Sequence, residues 1–433
     1  MRPSLIATLI ASAVLSIPTQ AADLLQVYRD ALANDAQYAS ARAAMTAGEE
    51  KTTQGRAGLL PTIGVSGSHT RSDPDSVPGS ITSSNYTISL SQPLFRWVNW
   101  ELYQQGKLTT AISEAQFAQA QQDLIVRVAQ AYFDVLNAQD VLASVQAQKT
   151  AITEQLASAK RNFEVGTATI TDTHEAQARY DLAVAQEFAA QSDLDIKRTA
   201  LQQIIGKAPG ELAGLRPGVK LNAPEPVQID QWVQSAQQQN YGVMSQQLAL
   251  EIAQRDIRKN RAGHLPTLDL VASRAHSNQG ASVFNPTGTI GNTNNIGVQW
   301  AIPLFSGFAV DSRVRESIAL ETKARADLET ARRTAEQGAR QAYLGVNSGL
   351  AQVKALEAAE VSSQSALESN RLGYQVGVRI NIDVLNAQQQ LFSTRKDLAK
   401  ARYDTIVNGL RLKSAAGTLK EADLAQVNTL LKP

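Results

Sequence analysis

The chain has 433 residues with 41 basic and 40 acidic side chains, so its formal net charge is only +1. This balance argues against a nucleic-acid-binding protein and gives no electrostatic reason for adhesion to a membrane surface. The absence of cysteine excludes disulfides, thiolate metal sites and a lipidated N-terminal cysteine. Four scattered histidines have no metal-ligand spacing, so we predict no metal site and no cofactor.

Residues 1–21 differ in composition from the rest of the chain. Arg2 precedes an apolar run from Leu5 to Ile17, and Thr19-Gln20-Ala21 has the small-x-small pattern of a cleavage site. This arrangement predicts a secretory signal peptide. Its apolar run is too short to span a bilayer, and no later segment offers about 20 consecutive apolar residues. We therefore predict an exported protein without a transmembrane helix.

The remainder of the chain is an internal duplication. Residues 56–62, RAGLLPT, return as RAGHLPT at 261–267, with an offset of 205 residues between Pro61 and Pro266. A later pair, Gly166 and Gly377, has an offset of 211, so the second copy contains extra residues, mostly in the Gly-, Asn- and Ser-rich segment 276–295. We predict two structural repeats, 22–208 and 229–433, joined by a linker at 209–228.

Each copy contains two segments in which apolar residues alternate with small or polar ones. They predict strands at about 62–72, 82–94, 267–277 and 293–304. The pattern fits both the wall of a transmembrane β-barrel and a half-buried soluble sheet. Four strands cannot close a barrel and lipid does not tolerate an open sheet edge, so strands in a membrane would require an oligomer.

Aromatic residues cluster just beyond the prolines that end each strand pair, Pro93 and Pro303. This cluster consists of Phe95, Trp97, Trp100, Phe305 and Phe308. Such a position fits an aromatic girdle at a membrane interface, and it equally fits packing at the start of a helix.

Two long tracts are free of proline, from Pro93 to Pro209 and from Pro303 to Pro433. In the first, apolar residues from Leu124 to Val145 recur at alternating spacings of three and four, which predicts a coiled coil. Gly166 and Gly377 interrupt the tracts, so we predict antiparallel helical hairpins at about 99–206 and 308–416. The first helix would be about 100 Å long at 1.5 Å per residue. The predicted fold is mainly α with a small β part.

Several segments resemble the TolC family of trimeric outer-membrane channels. They are GHLPTLDL at 263–270, GYQVG at 373–377, IDVL at 382–385, ARY at 401–403 and SAAGTL at 414–419. The resemblance implies that three protomers form one 12-stranded transmembrane barrel and a periplasmic α-barrel, with four transmembrane β-strands from each protomer. It also implies a mixed equatorial belt from 209–226, the short helix near 230–240 and the residues after Gly417.

The resemblance further implies a channel-tunnel in the outer membrane of a Gram-negative bacterium that extends into the periplasm. It would be the passive exit duct for tripartite multidrug efflux, type I protein secretion, or both. The implied partners are two further copies in a homotrimer, outer membrane lipid, a periplasmic adaptor protein and an inner-membrane pump or ABC transporter. A surface-anchored coiled-coil adhesin or structural spacer is the alternative, since it would share the heptads and the signal peptide.

No enzyme motif is present. Gly206-Lys207 has Leu201 where a phosphate-binding loop needs glycine, and His174-Glu175 lacks the second histidine of a zinc protease. Scattered carboxylates on long helices are typical of a solvated face, so we predict no catalytic residues.

The resemblance places functional residues near the hairpin turns. In the family, a Tyr and an Arg beside one turn bond an Asp and a Thr beside the other and hold the periplasmic entrance shut. The matching positions are Tyr374 with Asp172, and Arg379 with Thr171. The alternative is that these residues only cap the turns.

The family's entrance also carries two rings of aspartate three residues apart, whereas this chain has Asp383 followed by Asn386. With one carboxylate ring in place of two, we expect lower cation selectivity and weaker block by multivalent cations.

The hairpin tips are the third implied site. In the family these tips meet the adaptor, and here they are Val165, Gly166 and Thr167 in the first copy and Val376, Gly377 and Val378 in the second. Turn geometry alone also favours glycine at such positions, and both explanations can hold together.

Overall fold

One set of six elements occurs twice in the same order. The computed structural model describes residues 21–73, 80–281 and 287–432. The first set is α1 (Leu24–Asn34), α2 (Ala36–Ala57), β1 (Thr62–Ser72), β2 (Ile81–Phe95), α3 (Trp97–Glu164) and α4 (Ile170–Ile205). The second is α5 (Ile229–Gln239), α6 (Tyr241–Arg261), β3 (Thr267–Gln279), β4 (Thr289–Ala301), α7 (Ala309–Gln375) and α8 (Asn381–Ala415), and α9 (Glu421–Asn428) follows. The predicted signal peptide lies outside the described residues except for Ala21.

The strands form one antiparallel sheet in the order β1-β2-β3-β4. Pairing between β2 and β3 joins the two copies, and it leaves β1 and β4 as edge strands. The chain enters and leaves the sheet from helices at one end, while the connections β1–β2 and β3–β4 lie at the other end. Residues 74–79 and 282–286 of those connections lie outside the described part.

The long helices lie side by side as two antiparallel hairpins. α3 has 68 residues and α7 has 67, so each is about 100 Å long. α3 packs on α4 and α8, and α8 packs on α7, which gives the order α4-α3-α8-α7 with α4 and α7 at the outside. Leu124, Val128 and Val135 of the predicted heptad are buried, as the coiled-coil pattern requires. Among the helices of the described residues, none is long and apolar enough to cross a membrane.

The main hydrophobic core lies near the middle of the long helices. It joins α1 and parts of α3, α4 and α8 to the segments around Leu212 and Leu431. The buried Tyr132 hydroxyl donates hydrogen bonds to the carbonyl oxygens of Ala22 (3.2 Å) and Ala213 (2.7 Å). These bonds tie the segment before α1 and the segment after α4 to the middle of α3.

A glycine just after α8 allows the backbone to pass close to the end of α5. Gly417 has a φ of +73°, and a Cβ there would lie 2.2 Å from the carbonyl oxygen of Gln239 at the end of α5. The left-handed conformation and the close backbone both disfavour any side chain.

We expect Gly417→Ala to lower the stability of the fold by about 2–4 kcal/mol, because the methyl group would meet rigid backbone in a strained conformation. Thermal unfolding followed by circular dichroism would measure the loss. Gly409→Ala is the matched control, since no atom lies within 4 Å of a Cβ at that helical position. An unchanged midpoint in Gly417→Ala would contradict the prediction.

Candidate functional site: the strand sheet and the hairpin tips

The sheet has one apolar face and one face of small polar residues. On the apolar face, Ile63 and Leu90 are cross-strand partners, as are Val65 and Ile88. β4 contributes Ile296, Val298 and Trp300, which are 82%, 55% and 68% exposed. The opposite face consists largely of Ser, Thr, Asn and Gly. Water does not favour so much exposed aliphatic surface, whereas a barrel in lipid with an aqueous lumen needs this division.

The five predicted interface aromatics lie at the helix end of this sheet, and all are exposed. Phe95 ends β2, Trp97 and Trp100 lie in the first turn of α3, and Phe305 packs edge-to-face against Phe308 with ring centroids 5.4 Å apart. An ion pair lies at the same end of the sheet, where the Arg96 guanidinium donates two hydrogen bonds to the carboxylate of Asp269 (2.8 and 2.6 Å). The aromatics therefore border the apolar face where the helices begin.

The two hairpin tips have the same backbone geometry. Gly166 and Gly377 adopt positive φ values of +76° and +82°. In each tip the next residue donates its amide hydrogen back to the helix, from Thr167 to the carbonyl of Asn162 (2.8 Å) and from Val378 to that of Gly373 (2.9 Å). This pattern is the Schellman motif that ends helices in a left-handed residue. Val165 beside Gly166, and Val376 and Val378 on either side of Gly377, are exposed, so the tips present apolar side chains to solvent.

Three of the four predicted gate residues line one open cavity between the tips. The cavity has a volume of about 760 Å³, and its walls include Asn162, Asp172, Tyr374 and Arg379. The fourth residue, Thr171, is exposed beside Asp172 in the first turn of α4. The two hairpins of one chain therefore bring these residues to the same end of the molecule.

Within the single chain, the side chains of the gate residues bond other neighbours. The Tyr374 hydroxyl accepts a hydrogen bond from the Asn162 amide (3.2 Å), while the Asp172 carboxylate accepts one from the Thr169 hydroxyl (2.8 Å). Arg379 lies 3.7 Å from Asp383, one turn along α8. The expected pairs Tyr374 with Asp172 and Arg379 with Thr171 stay predictions.

A polar seam connects the hairpins beside the cavity. Gln155 on α3 donates a hydrogen bond to Asn381, and Asn381 donates to the backbone carbonyl of Asp172 (3.3 Å). Gln388 is 1% exposed, and both polar atoms of its side chain lack a hydrogen-bond partner among the described residues. An apolar contact here would hold the hairpins more firmly than this incompletely satisfied polar one.

Asn386, which stands where the family has its second aspartate, has a basic neighbour. Arg179 on α4 donates hydrogen bonds to the Asn386 amide oxygen (3.0 Å) and to Gln389. Sequence analysis missed Arg179, Asn162, Gln155 and Asn381, because each acts across two helices that are far apart in the chain. The only signal in the sequence was their position close to a predicted hairpin turn.

No cluster of three or more His, Cys, Asp or Glu side chains with suitable geometry for a metal ion occurs in residues 21–73, 80–281 and 287–432.

Comparison with known proteins shows which family has this architecture. The family model described as "Outer membrane efflux protein" matches residues 27–207 and 232–418, each of which spans most of one set of six elements. The chain belongs to the outer membrane efflux protein family. It is 34% identical to "Outer membrane protein TolC" of Escherichia coli (strain K12), over 95% of this chain and 86% of that protein.

Two other relatives in this family have names that refer to protein secretion. "Proteases secretion protein PrtF" of Dickeya chrysanthemi is 34% identical over 94% of this chain and 91% of its own length. "Alkaline protease secretion protein AprF" of Pseudomonas aeruginosa is 34% identical over 93% and 86%. These matches extend through the strands and both hairpins.

Solved structures share the fold. CusC superimposes with a TM-score of 0.80 at 18% identity, covering 91% of this chain and 92% of that chain. VceC from Vibrio cholerae gives a TM-score of 0.77 at 18% identity, covering 91% and 96%. The chain is thus an outer-membrane channel of the efflux and type I secretion family, a family of passive channels and not of enzymes. This decides between the two predicted functions in favour of the channel over the adhesin.

Proposed function

We propose that three copies of this chain close one continuous duct, with a barrel in the outer membrane and a helical tunnel in the periplasm. The observation that carries the proposal is the four-stranded sheet with two unpaired edges and one exposed apolar face. Open edges are not stable in lipid, so β1 of one copy pairs with β4 of the next. Three sheets of four strands give an even-numbered barrel of twelve, within the size range of known outer-membrane barrels.

The outer helices support the same assembly. Phe188 on α4 is 75% exposed and Val361 on α7 is 68% exposed, although both lie on long helices that otherwise pack through apolar seams. Because α4 and α7 are at opposite sides of the helical row, α4 of one copy meets α7 of the next. The same rotation therefore closes the strands and the helices.

The periplasmic end of the duct is its gate. The tip cavity brings Tyr374, Asp172 and Arg379 together, and the polar seam beside it is weak enough to rearrange. Docking of a periplasmic adaptor on the exposed tip residues 165–167 and 376–378 shifts the hairpins apart. An inner-membrane pump or ABC transporter supplies the energy, since the duct itself makes and breaks no bond.

Single-channel conductance of the purified protein in planar bilayers tests the duct. Stable conductance steps from a species of three chains are the expected result. A folded oligomer of another size, or one that conducts no ions, would contradict the proposal.

The entrance should respond to restoration of its second carboxylate. Asn386→Asp is expected to strengthen block by trivalent cations severalfold, because three more carboxylates then face the same constriction. Arg179 will neutralise part of that charge, so Asn386→Asp with Arg179→Gln should show the larger effect. The trivalent-cation concentration that halves the conductance measures both. Tight block of the unmodified channel would contradict the expectation of a weak ring.

A further inference from the structure

The apolar face of the sheet carries an arginine among its aliphatic side chains. Arg274 on β3 lies directly between Ile88 on β2 and Asn294 on β4, so its side chain shares the face of Ile88, Leu90 and Ile296. It is exposed, and in the described part of the chain no side chain forms an ion pair or hydrogen bond with it. A charged residue on the lipid face is unfavourable at mid-membrane and tolerated only near a headgroup layer.

The depth of Arg274 follows from the strand geometry. It lies six residues along β3 from Leu268, which pairs with Trp300 at the level of the aromatics. At about 3.4 Å per residue and a tilt of about 40°, its Cα is about 16 Å above that level, in an apolar band about 25 Å tall. Its long side chain extends towards the nearer boundary. The helices leave from the other end of the sheet, so this boundary is the outer leaflet.

Further polar groups lie on the same face closer to the strand connections. His276 is two residues beyond Arg274, stacks on Tyr86 with centroids 4.8 Å apart, and places Nδ1 2.8 Å from the Asn292 amide oxygen. The imidazole ring of His276 is therefore held in position by its Nδ1 atom, which leaves Nε2 directed elsewhere.

The other arginine of this face is different because it already has a counterion. Arg71 on β1 is level with Thr82, six residues along β2 from Ile88, and its guanidinium lies 3.7 Å from the carboxylate of Asp73. Among residues 21–73, 80–281 and 287–432, Arg274 has no such partner, so it carries an uncompensated positive charge on this face in each protomer.

We propose that Arg274, together with His276 on the same strand, binds the phosphate group of a phosphorylated lipid in the outer leaflet. The inference rests on the proposed barrel, in which this face contacts lipid. Guanidinium and phosphate form paired, charge-assisted hydrogen bonds, and the adjacent Ile88 and Val65 accommodate acyl chains. A lipid headgroup fits better than a free anion, because only the lipid covers the apolar surface below the charge. A trimer would carry three such sites.

Native mass spectrometry of the detergent-purified trimer, titrated with bisphosphorylated lipid A, tests the proposal. We expect Arg274→Gln to bind about tenfold more weakly than the unmodified protein. Arg274→Lys should bind with intermediate affinity, because an ammonium keeps the charge but not the paired hydrogen bonds. Arg71→Gln is the matched control, since it removes the same charge from a residue that is already paired. We also expect lipid A without its phosphates to bind the unmodified trimer about tenfold more weakly.

Equal binding by Arg274→Gln and the unmodified protein would overturn the proposal. So would equal binding of lipid A with and without phosphate. If inorganic phosphate alone displaces the lipid at millimolar concentration, the site is a free-anion site and the lipid assignment is wrong. The conductance of each trimer is recorded in parallel: a conducting trimer without lipid selectivity contradicts only this inference, whereas a folded trimer that conducts no ions contradicts the proposed function.

Discussion

The double substitution Tyr374→Phe, Arg379→Ser is expected to increase the single-channel conductance of the trimer severalfold. Both side chains line the cavity between the hairpin tips, where Tyr374 bonds Asn162 and Arg379 lies beside Asp383. The neutral Tyr374–Asn162 hydrogen bond is worth about 0.5–1.5 kcal/mol, and the exposed Arg379–Asp383 pair is worth less than about 1 kcal/mol. The loss of both in each of three protomers shifts a closed entrance towards its open arrangement. Planar-bilayer recordings of the purified trimers measure the change.

A matched control makes the same two kinds of substitution at positions that are far from the tips. Tyr343 donates its hydroxyl hydrogen to the carbonyl of Val227 in the middle of the molecule, and Arg333 forms a surface ion pair with Glu329 on α7. The double substitution Tyr343→Phe, Arg333→Ser should leave the conductance unchanged. Equal conductance in the gate variant and the unmodified protein would leave the channel intact and exclude the gate.

Two single substitutions test which hydrogen bond of Tyr374 closes the gate. The family resemblance pairs Tyr374 with Asp172, whereas the single chain pairs it with Asn162. If the closed trimer uses the first bond, Asp172→Ala opens the channel and Asn162→Ala does not. The reverse result would assign closure to Asn162.

The second large effect is expected at Asp35, between α1 and α2. Its buried carboxylate accepts the amide hydrogen of Tyr38 (2.6 Å) as the N-cap of α2 and forms a two-point ion pair with Arg127 on α3 (3.1 and 2.9 Å). Asp35→Ala removes the cap and leaves the guanidinium without its partner, so we expect a loss of about 3–5 kcal/mol. Chemical denaturation in detergent measures it.

Asp35→Asn separates the two contributions. Asparagine still caps a helix but carries no charge, so its cost reports the ion pair alone and should be smaller. If Asp35→Ala and Asp35→Asn are equally harmful, the cap contributes nothing. If neither changes the denaturation midpoint, the assignment of Asp35 as a structural ion pair is wrong.

The contribution of Asp35 to the stability of the fold depends on pH in a defined direction. Burial alone would raise the pKa of Asp35, but hydrogen bonds from Arg127 and from the Tyr38 amide outweigh burial and hold the pKa below its ordinary value. A carboxyl group with a lowered folded-state pKa stabilises the fold above its unfolded pKa of about 3.9. That contribution is lost as the pH falls through the lower folded value. Asp35→Asn should therefore flatten the stability profile below about pH 4 and lower it uniformly above that pH.

Sequence analysis was most reliable where one local pattern repeats over many residues. The heptad from Leu124 onward, the absence of proline and the returning glycines led to long hairpins, and the alternation around Ile63 and Ile88 led to strands. Each of these signals reflects a single backbone period, 3.5 or 2 residues, which the sequence displays directly. The family relation likewise agrees with the resemblance found in the motifs around Gly377 and Pro266.

The residues that act across the hairpins were beyond this reasoning. Nothing local links Asn162 to Tyr374, Gln155 to Asn381 or Arg179 to Asn386, because each pair is separated by more than 200 residues and meets only when α3 and α4 pack against α7 and α8. The same holds for Arg274. Its sequence neighbours describe a strand, but only the register of β2, β3 and β4 puts it among Ile88, Leu90 and Ile296.

The sequence by itself therefore indicated two similar halves and the type of each helix and strand, since these depend on local composition and periodicity. Tertiary structure alone decided which side chains share the tip cavity and which face of the sheet carries a charge. The physical reason is that helix and strand periods constrain only neighbours in the chain. The hydrogen bonds and charge pairs of a site depend on how elements far apart in sequence are packed and registered.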